Sequence, residues 1–391
     1  MTVVTIIQSL MMSGLILFFV VLMENFSFYS LIYGLFLLYL FVAMSVKEQK
    51  KKGSGVIYRR IYQSMYAVLF SITFISDLIA ERGSMSITTE AFANAELPFC
   101  HIAIPQVLTP FVVAKNIIFP ARVTGHYASI ASMLCIWFIC TVTLGRGWCS
   151  WVCFYGGWEE GFSHLSKKRR IRLLSKNREI REFQFGFFAF IVLASFGSMA
   201  AIYCDWFCPF KLVTEYAPMN SLSSIVAGII FIGLFVSLVV VLPFLTKKRT
   251  QCSTLCPFGA FASLTDRFSS FKINIDTEKC KHCMKCAVTC PFGAIDVYTI
   301  KENKGSPELT CAKCGECIGV CSEKAISYGF RFGKKCSKPQ PKNRAEKILQ
   351  AFLDPAVLFR FSAFTFFVIM SGNFATRALS IIVNFISGVV L

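Results

Sequence analysis

Histidine is scarce in this chain of 391 residues: His101, His126, His164 and His282 are the full complement. None forms a helix-stacked pair inside an apolar run, so a bis-histidine haem b is not expected. No C-x-x-C-H is present for haem c, and no Walker or dinucleotide fingerprint for a nucleotide. Acidic residues are few, 22 against 40 Lys and Arg, giving a net charge of +18. The basic excess sits in short clusters at the ends of apolar runs and no nucleic-acid motif accompanies it. It therefore implies a lipid bilayer as partner, and no nucleic acid. The first residues, MTVVTIIQSLMMSGLILFFVVLM, lack a basic n-region and a small-residue cleavage site, and read as a retained helix.

What the chain has instead is apolar length. Hydrophobic residues make up 55%, with 41 Phe and a mean hydropathy of +0.60. They fall in runs of about twenty, the length of helix that spans a bilayer. Six spans are expected, near 2–23, 27–46, 60–80, 126–144, 183–203 and 222–245. Lys47, Lys50, Lys51, Lys52, Arg59 and Arg60 crowd the loop after the second. Lys167, Lys168, Arg169, Arg170, Arg172, Lys176, Arg178 and Arg181 fill the loop after the fourth, and Lys247, Lys248 and Arg249 follow the sixth. The positive-inside rule then puts these loops in the cytoplasm, in a multi-pass protein of a bacterial-type inner membrane.

Eighteen cysteines point to metal. Eight form two tight runs, Cys280-x2-Cys283-x2-Cys286-x3-Cys290 and Cys311-x2-Cys314-x2-Cys317-x3-Cys321, too close together for eight independent disulfides. Each run offers three thiolates to one cubane, while its fourth cysteine starts a segment that leads to the other cluster. One [4Fe–4S] cluster is expected on Cys280, Cys283, Cys286 and Cys321, the second on Cys311, Cys314, Cys317 and Cys290. Zinc sites usually take two close cysteines and then a long gap. The segment Cys280–Ile295 repeats as Cys311–Ile326, an offset of 31 residues, with short alternating strands flanking the pair.

The fold class is thus a membrane α-helical domain of about six spans plus a small α+β two-cluster bacterial ferredoxin-like domain. Residues 1–80 form a three-helix membrane segment, 81–125 an extracytoplasmic loop with Cys100, and 126–260 a membrane domain. Residues 272–330 are the ferredoxin domain, 331–354 a basic linker and 355–391 an apolar tail. Arg360, Gly372, Asn373 and Arg377 interrupt the tail, leaving a re-entrant hairpin, a tilted span or an interfacial helix open.

Three C-x3-C pairs lie in the membrane domain: Cys149/Cys153, Cys204/Cys208 and Cys252/Cys256. If helical, this spacing puts both sulfurs on one face, a turn apart. The first and third pairs belong at the cytoplasmic ends of spans, where their four thiolates are a candidate third metal or iron–sulfur centre. Small buried thiols beside Gly and Pro are the plainer alternative. The middle pair belongs on the opposite face with Cys100 and His101, where a dithiol, a disulfide and a metal site all stay open. Cys135 and Cys140 read as packing residues, and Cys336 has no visible partner. Glu159 and Glu160 read as interfacial charges, with proton handling in quinol chemistry the sharper alternative.

The stretches LGRGWCSWVC, FCPF and TLCPFGAFASLTDRFSSFKINIDTEKCKHCMKC, spanning about 95–330, resemble the NapH/NosR-type membrane polyferredoxins. The resemblance implies a conduit carrying electrons between the quinone pool or a cytoplasmic donor and a partner redox enzyme. A metal-ion reductase of the CcoG-like kind, or an accessory factor for assembling another oxidoreductase, are the alternatives. Phe154 stands where this family usually has a proline, so the first turn is expected to differ. The residues from Ser371 to Thr376 lack a contiguous Ser-Gly-Ala-Thr, so no covalent flavin is expected.

Overall fold

The apolar runs become helices in the computed structural model, which describes residues 3–23, 26–80, 96–98, 100–115, 127–166, 168–171, 177–211, 222–301, 305–332 and 343–388. His126, Lys167, Arg172, Lys176 and Cys336, with most of the 81–125 loop and part of the 331–354 linker, lie outside the described residues. Among the described residues, five helices are long and apolar enough to cross a membrane: Val3–Leu22, Phe28–Lys50, Asn177–Ser198, Ile225–Thr246 and Pro355–Ile386.

Two expected spans come out differently. The third is a 25-residue helix, Val56–Ala80, that buries a polar stripe of Arg59, Gln63 and Thr73. The fourth is helical only over Ile130–Thr143, preceded by the strand Tyr127–Ser129, which pairs antiparallel with Glu96–Pro98. Fourteen residues make about 21 Å of helix, short of a hydrocarbon core of about 30 Å. Gly145, in the left-handed conformation (φ 55°), turns the chain just after it.

The tail is neither a hairpin nor two short pieces: Pro355–Ile386 is one helix of 32 residues. Asp354 caps it, the carboxylate accepting from the Ala356 N–H at 3.0 Å, with Pro355 in the first turn. The residues that interrupted its apolar pattern find protein partners. Half-buried Arg360 pairs with buried Glu48 at 3.0 Å, and Gly372 lies against the Phe19 backbone.

The chain divides into two compact units, residues 1–70, 140–157 and 265–391 forming the first and residues 71–139 and 158–264 the second. The first unit contains the ferredoxin module. Its two strands, Phe271–Ile275 and Ile326–Phe330, pair antiparallel with Ile273 opposite Tyr328. Phe271, Ile273 and Ile275 point inward from alternate positions. Tyr328 stacks on Phe359 of the tail helix at 4.9 Å, and Phe359 also meets Trp151 edge-on at 5.7 Å. Gly53, at φ 79°, packs backbone to backbone on Gly319: a Cβ there would lie 2.4 Å from the Gly319 Cα. Backbone conformation repeats with the sequence, left-handed residues falling in pairs 31 apart at His282 and Lys313, Met284 and Gly315, and Gly293 and Lys324.

Candidate iron–sulfur and metal centres

In the ferredoxin module, Cys280, Cys283, Cys286 and Cys321 line one cavity. Cys290 comes from the first run yet lies within electrostatic range of Cys311, Cys314 and Cys317. The fourth sulfur of each run accepts a backbone N–H four residues on, Cys290 from Ala294 and Cys321 from Ala325, each at 3.3 Å. Two sets of four soft sulfur donors fit iron–sulfur cubanes. Burial pushes the Cys286 thiol up to about 11 and Cys311 up to about 12. At neutral pH such thiols ionise only as a metal takes them, so cluster insertion releases protons.

The two sets face different surroundings. Around the first, Lys281, His282, Cys283 and Lys285 are exposed. His282 is therefore a solvated neighbour. Around the second, Ala312, Lys313, Cys314, Glu316 and Cys317 are buried, and what covers them is the segment that carries Cys149 and Cys153. Ser150 Oγ donates to the Ala312 carbonyl at 2.5 Å, and Trp151 Nε1 to the Lys313 carbonyl at 3.1 Å. Lys313 Nζ reaches Leu144 O at 2.9 Å, Asp266 Oδ1 at 2.5 Å and Ser269 Oγ at 2.9 Å. Burial pulls the Lys313 amine below its usual range, and Asp266 opposes that shift. Arg331 Nη2 meets the other Asp266 oxygen at 2.6 Å. Fully buried Arg59 joins three parts, donating to Ser150 O at 2.7 Å, Gln63 Oε1 at 3.2 Å and Glu316 Oε1 at 2.9 Å.

The C-x3-C pairs do not sit on one continuous helical face. Gly147–Trp151 is a five-residue helix, and the Cys153 N–H donates to Trp148 O at 3.0 Å, one residue wider than an α-turn. Thr250–Thr254 ends in the same way, with Cys256 N–H on Gln251 O at 3.1 Å. In each, the second sulfur then accepts from the N–H three residues on, Gly156 or Gly259, both at 3.4 Å. The second cysteine thus lies past its helix, on the turn into the next. Phe154 and Pro257 open equivalent helices, so the missing proline leaves the turn intact. The Phe154 ring stacks on Phe70 at 3.4 Å.

Each pair has a buried glutamine that the sequence reading passed over. Gln63 Nε2 donates to both Cys149 O and Cys153 O at 3.1 Å. Gln184 Nε2 donates to Cys252 O at 3.0 Å. Gln106 accepts from the Tyr203 N–H at 2.9 Å and donates to Cys204 Sγ at 3.6 Å. A polar residue inside an apolar run is the one signal that could have singled these out.

Cys149 and Cys153 belong to the first unit, Cys252 and Cys256 to the second. Within the second unit, Cys252 and Cys256 are gathered with the middle pair, at odds with the expectation that the middle pair stands apart on the opposite face. Gln251 Nε2 hydrogen-bonds the Tyr203 hydroxyl, and Tyr203 lies within electrostatic range of Cys204, Cys208, Cys252 and Cys256. Cys100 neighbours Cys204, and the adjacent His101 ring packs on Phe258 at 4.8 Å. Both segments fold back along the helices they follow, which is why they meet. Lys247 (φ 55°) reverses the chain, so that Thr250 Oγ1 bonds Leu238 O at 2.5 Å. Met199 (φ 51°) does the same after Ser198, and Ile202 N–H returns to Ser195 Oγ at 3.3 Å.

Glu159 and Glu160 are buried, not interfacial. Glu159 accepts from the N–H groups of Gln251 at 2.7 Å and Cys252 at 3.1 Å, and Glu160 pairs with buried Arg249. Burial pushes the Glu159 carboxyl up to about 7, against the pull of Cys252 and Arg249. Of the two thiols read as packing residues, Cys140 is buried and Cys135 exposed.

A 4Fe–4S binding domain model matches residues 272–295. A second 4Fe–4S binding domain model matches 126–172, 184–218 and 228–276, each stretch holding one C-x3-C pair. An uncharacterized protein of Methanocaldococcus jannaschii is 25% identical over 219 residues, 54% of this chain and 83% of that protein. The ferredoxin-type protein NapH of Haemophilus influenzae is 27% identical over 189 residues, 47% of this chain and 62% of NapH. A second uncharacterized M. jannaschii protein is 24% identical over 162 residues, 32% of this chain and 63% of that protein. The match therefore spans less than two thirds of the length of these last two relatives. No solved structure matches. With 4Fe–4S binding domains on its cysteine segments, similarity to a ferredoxin-type NapH protein and helices long and apolar enough to span a membrane, the chain has the marks of a membrane iron–sulfur electron-transfer protein.

Proposed function

We propose that this protein carries electrons between the quinone pool or a cytoplasmic donor and a partner redox enzyme, from a bacterial-type inner membrane with its ferredoxin module in the cytoplasm. Cys280, Cys283, Cys286 and Cys321 hold the first [4Fe–4S] cluster. Cys311, Cys314, Cys317 and Cys290 hold the second. Bound clusters supply one-electron redox chemistry. The remaining residues position them and set their exposure. The observation that carries this reading is the contrast between the two sets: the first opens to solvent among lysines, while the second is covered by Ser150 and Trp151. An external carrier would meet the first cluster, and the second would pass the electron toward the membrane domain. Lys281 and Lys285 make an acidic carrier the fitting partner at that end. The orientation follows from the Lys and Arg clusters near 47–60 and 247–249.

The test uses inverted membrane vesicles under anaerobic conditions, with the clusters followed by electron paramagnetic resonance. Quinol-linked reduction or quinone-linked reoxidation of both clusters is expected. Clusters that respond only to dithionite, and never to a quinol or quinone, overturn the quinone link.

A further inference from the structure

We infer that Cys204, Cys208, Cys252 and Cys256 form one four-thiolate iron–sulfur site inside the second unit, at mid-depth along the helix Asn177–Ser198. The inference rests on the electron-carrying role proposed above and supplies its relay within the membrane. Three observations carry it.

First, the four cysteines come from two segments that fold back beside their own helices and meet at one residue. Tyr203 precedes Cys204, Gln251 precedes Cys252, and the two are hydrogen-bonded. Tyr203 has all four cysteines as electrostatic neighbours. In the ferredoxin module Cys317 likewise has Cys314, Cys311 and Cys290 as neighbours, together with Cys286 of the other set.

Second, the four sulfurs are not drawn to the spacing of a single ion's ligands. Among the described residues no three cysteine sulfurs lie within 4.8 Å of one another. A single tetrahedral ion, with bonds of about 2.3 Å to sulfur, would draw its ligands closer than that. A cubane takes one thiolate at each of four separate iron corners. The ferredoxin cysteines obey the same bound.

Third, the site is built and buried. Gln106, itself fully buried, fixes the Tyr203 N–H and points its amide at Cys204 Sγ, while Ser195 Oγ donates to it at 3.3 Å. Gln184 fixes Cys252 O, and the Gly259 N–H donates to Cys256 Sγ. A Cβ at residue 259 would lie 2.6 Å from Cys252 O, so glycine permits this close approach. Gln184 lies about 10 Å, and Ser195 about 27 Å, from the start of their helix at 1.5 Å per residue. The site lies between them along this helix, and four buried thiols with no metal would gain only ordinary burial. Cys100 is a further neighbour of Cys204; we assign the four ligands to the two C-x3-C pairs, and Cys100→Ala tests that choice.

The test counts iron and acid-labile sulfide in the full-length protein, purified anaerobically. About twelve of each per chain are expected, four per cubane. Cys204→Ala/Cys256→Ala should lower the count to about eight with the ferredoxin clusters' paramagnetic spectrum unchanged, which also shows that the variant folds. Cys149→Ala/Cys153→Ala and Cys100→Ala should both keep about twelve. Eight in the unaltered chain overturns this site and leaves the two-cluster reading standing. Far fewer than eight overturns both. Loss of the extra iron on changing Cys149 and Cys153 also overturns the assignment. If the double variant is not recovered, Mössbauer spectra of the unaltered chain decide: a third cubane component supports the site, and its absence sinks it.

Discussion

Asp266→Asn removes the negative charge that pairs with Lys313 beneath the second cluster loop. Asp266 accepts from Lys313 at 2.5 Å, Arg331 at 2.6 Å and the Arg146 N–H at 2.9 Å. Lys313 is 1% exposed, whereas Arg331 is 26% exposed and can turn outward. Asparagine keeps an oxygen for the Arg146 N–H but leaves a buried ammonium uncompensated. Breaking a buried pair in this way costs about 3–5 kcal/mol. At a tenfold change per 1.4 kcal/mol, the open form should become roughly a hundred to a few thousand times more populated. Hydrogen exchange at the amides of residues 145–153 and 311–317, in detergent and with clusters intact, reads that population. Asp266→Asn/Lys313→Met removes both charges and should recover most of the protection, since replacing a whole buried pair is often neutral. A change below tenfold in the single variant refutes the reasoning. So does a double variant that exchanges faster than the single one.

Cys290→Ala should abolish the second cluster's spectroscopic signal before the first; loss of the first alone would reverse the ligand exchange. Gly53→Ala forces a Cβ to 2.4 Å from the Gly319 Cα at φ 79°. It should lower stability by about 1–3 kcal/mol, seen as a reduced unfolding midpoint in detergent; an unchanged midpoint would show that the loop is not held against the module. Reporter fusions after residues 52 and 332 should both give cytoplasmic activity, and an extracytoplasmic signal from either means the orientation is wrong.

The sequence by itself determined the parts whose chemistry is local. Two C-x2-C-x2-C-x3-C runs declare iron–sulfur ligation because a turn and three ligands of each set lie within seven consecutive residues. The 31-residue offset reappears in the backbone at His282 and Lys313 because the turn geometry is carried by those few residues. Apolar runs near twenty residues gave most of the long helices, since length and hydropathy suffice for that. Tertiary structure alone decided what depends on partners far along the chain. The tail is one helix because Arg360 finds Glu48, 312 residues away in sequence, and a local window counts that arginine only as an interruption. The fourth span is short because its first residues, Tyr127–Ser129, pair as a strand with Glu96–Pro98. Glu159 and Glu160 are buried because Gln251, Cys252 and Arg249 meet them, 89 to 93 residues on. The C-x3-C pairs could be read as metal-competent, but spacing is silent on which pairs meet. Left-handed turns at Met199 and Lys247 fold two segments back along their helices. That reversal brings Tyr203 to Gln251.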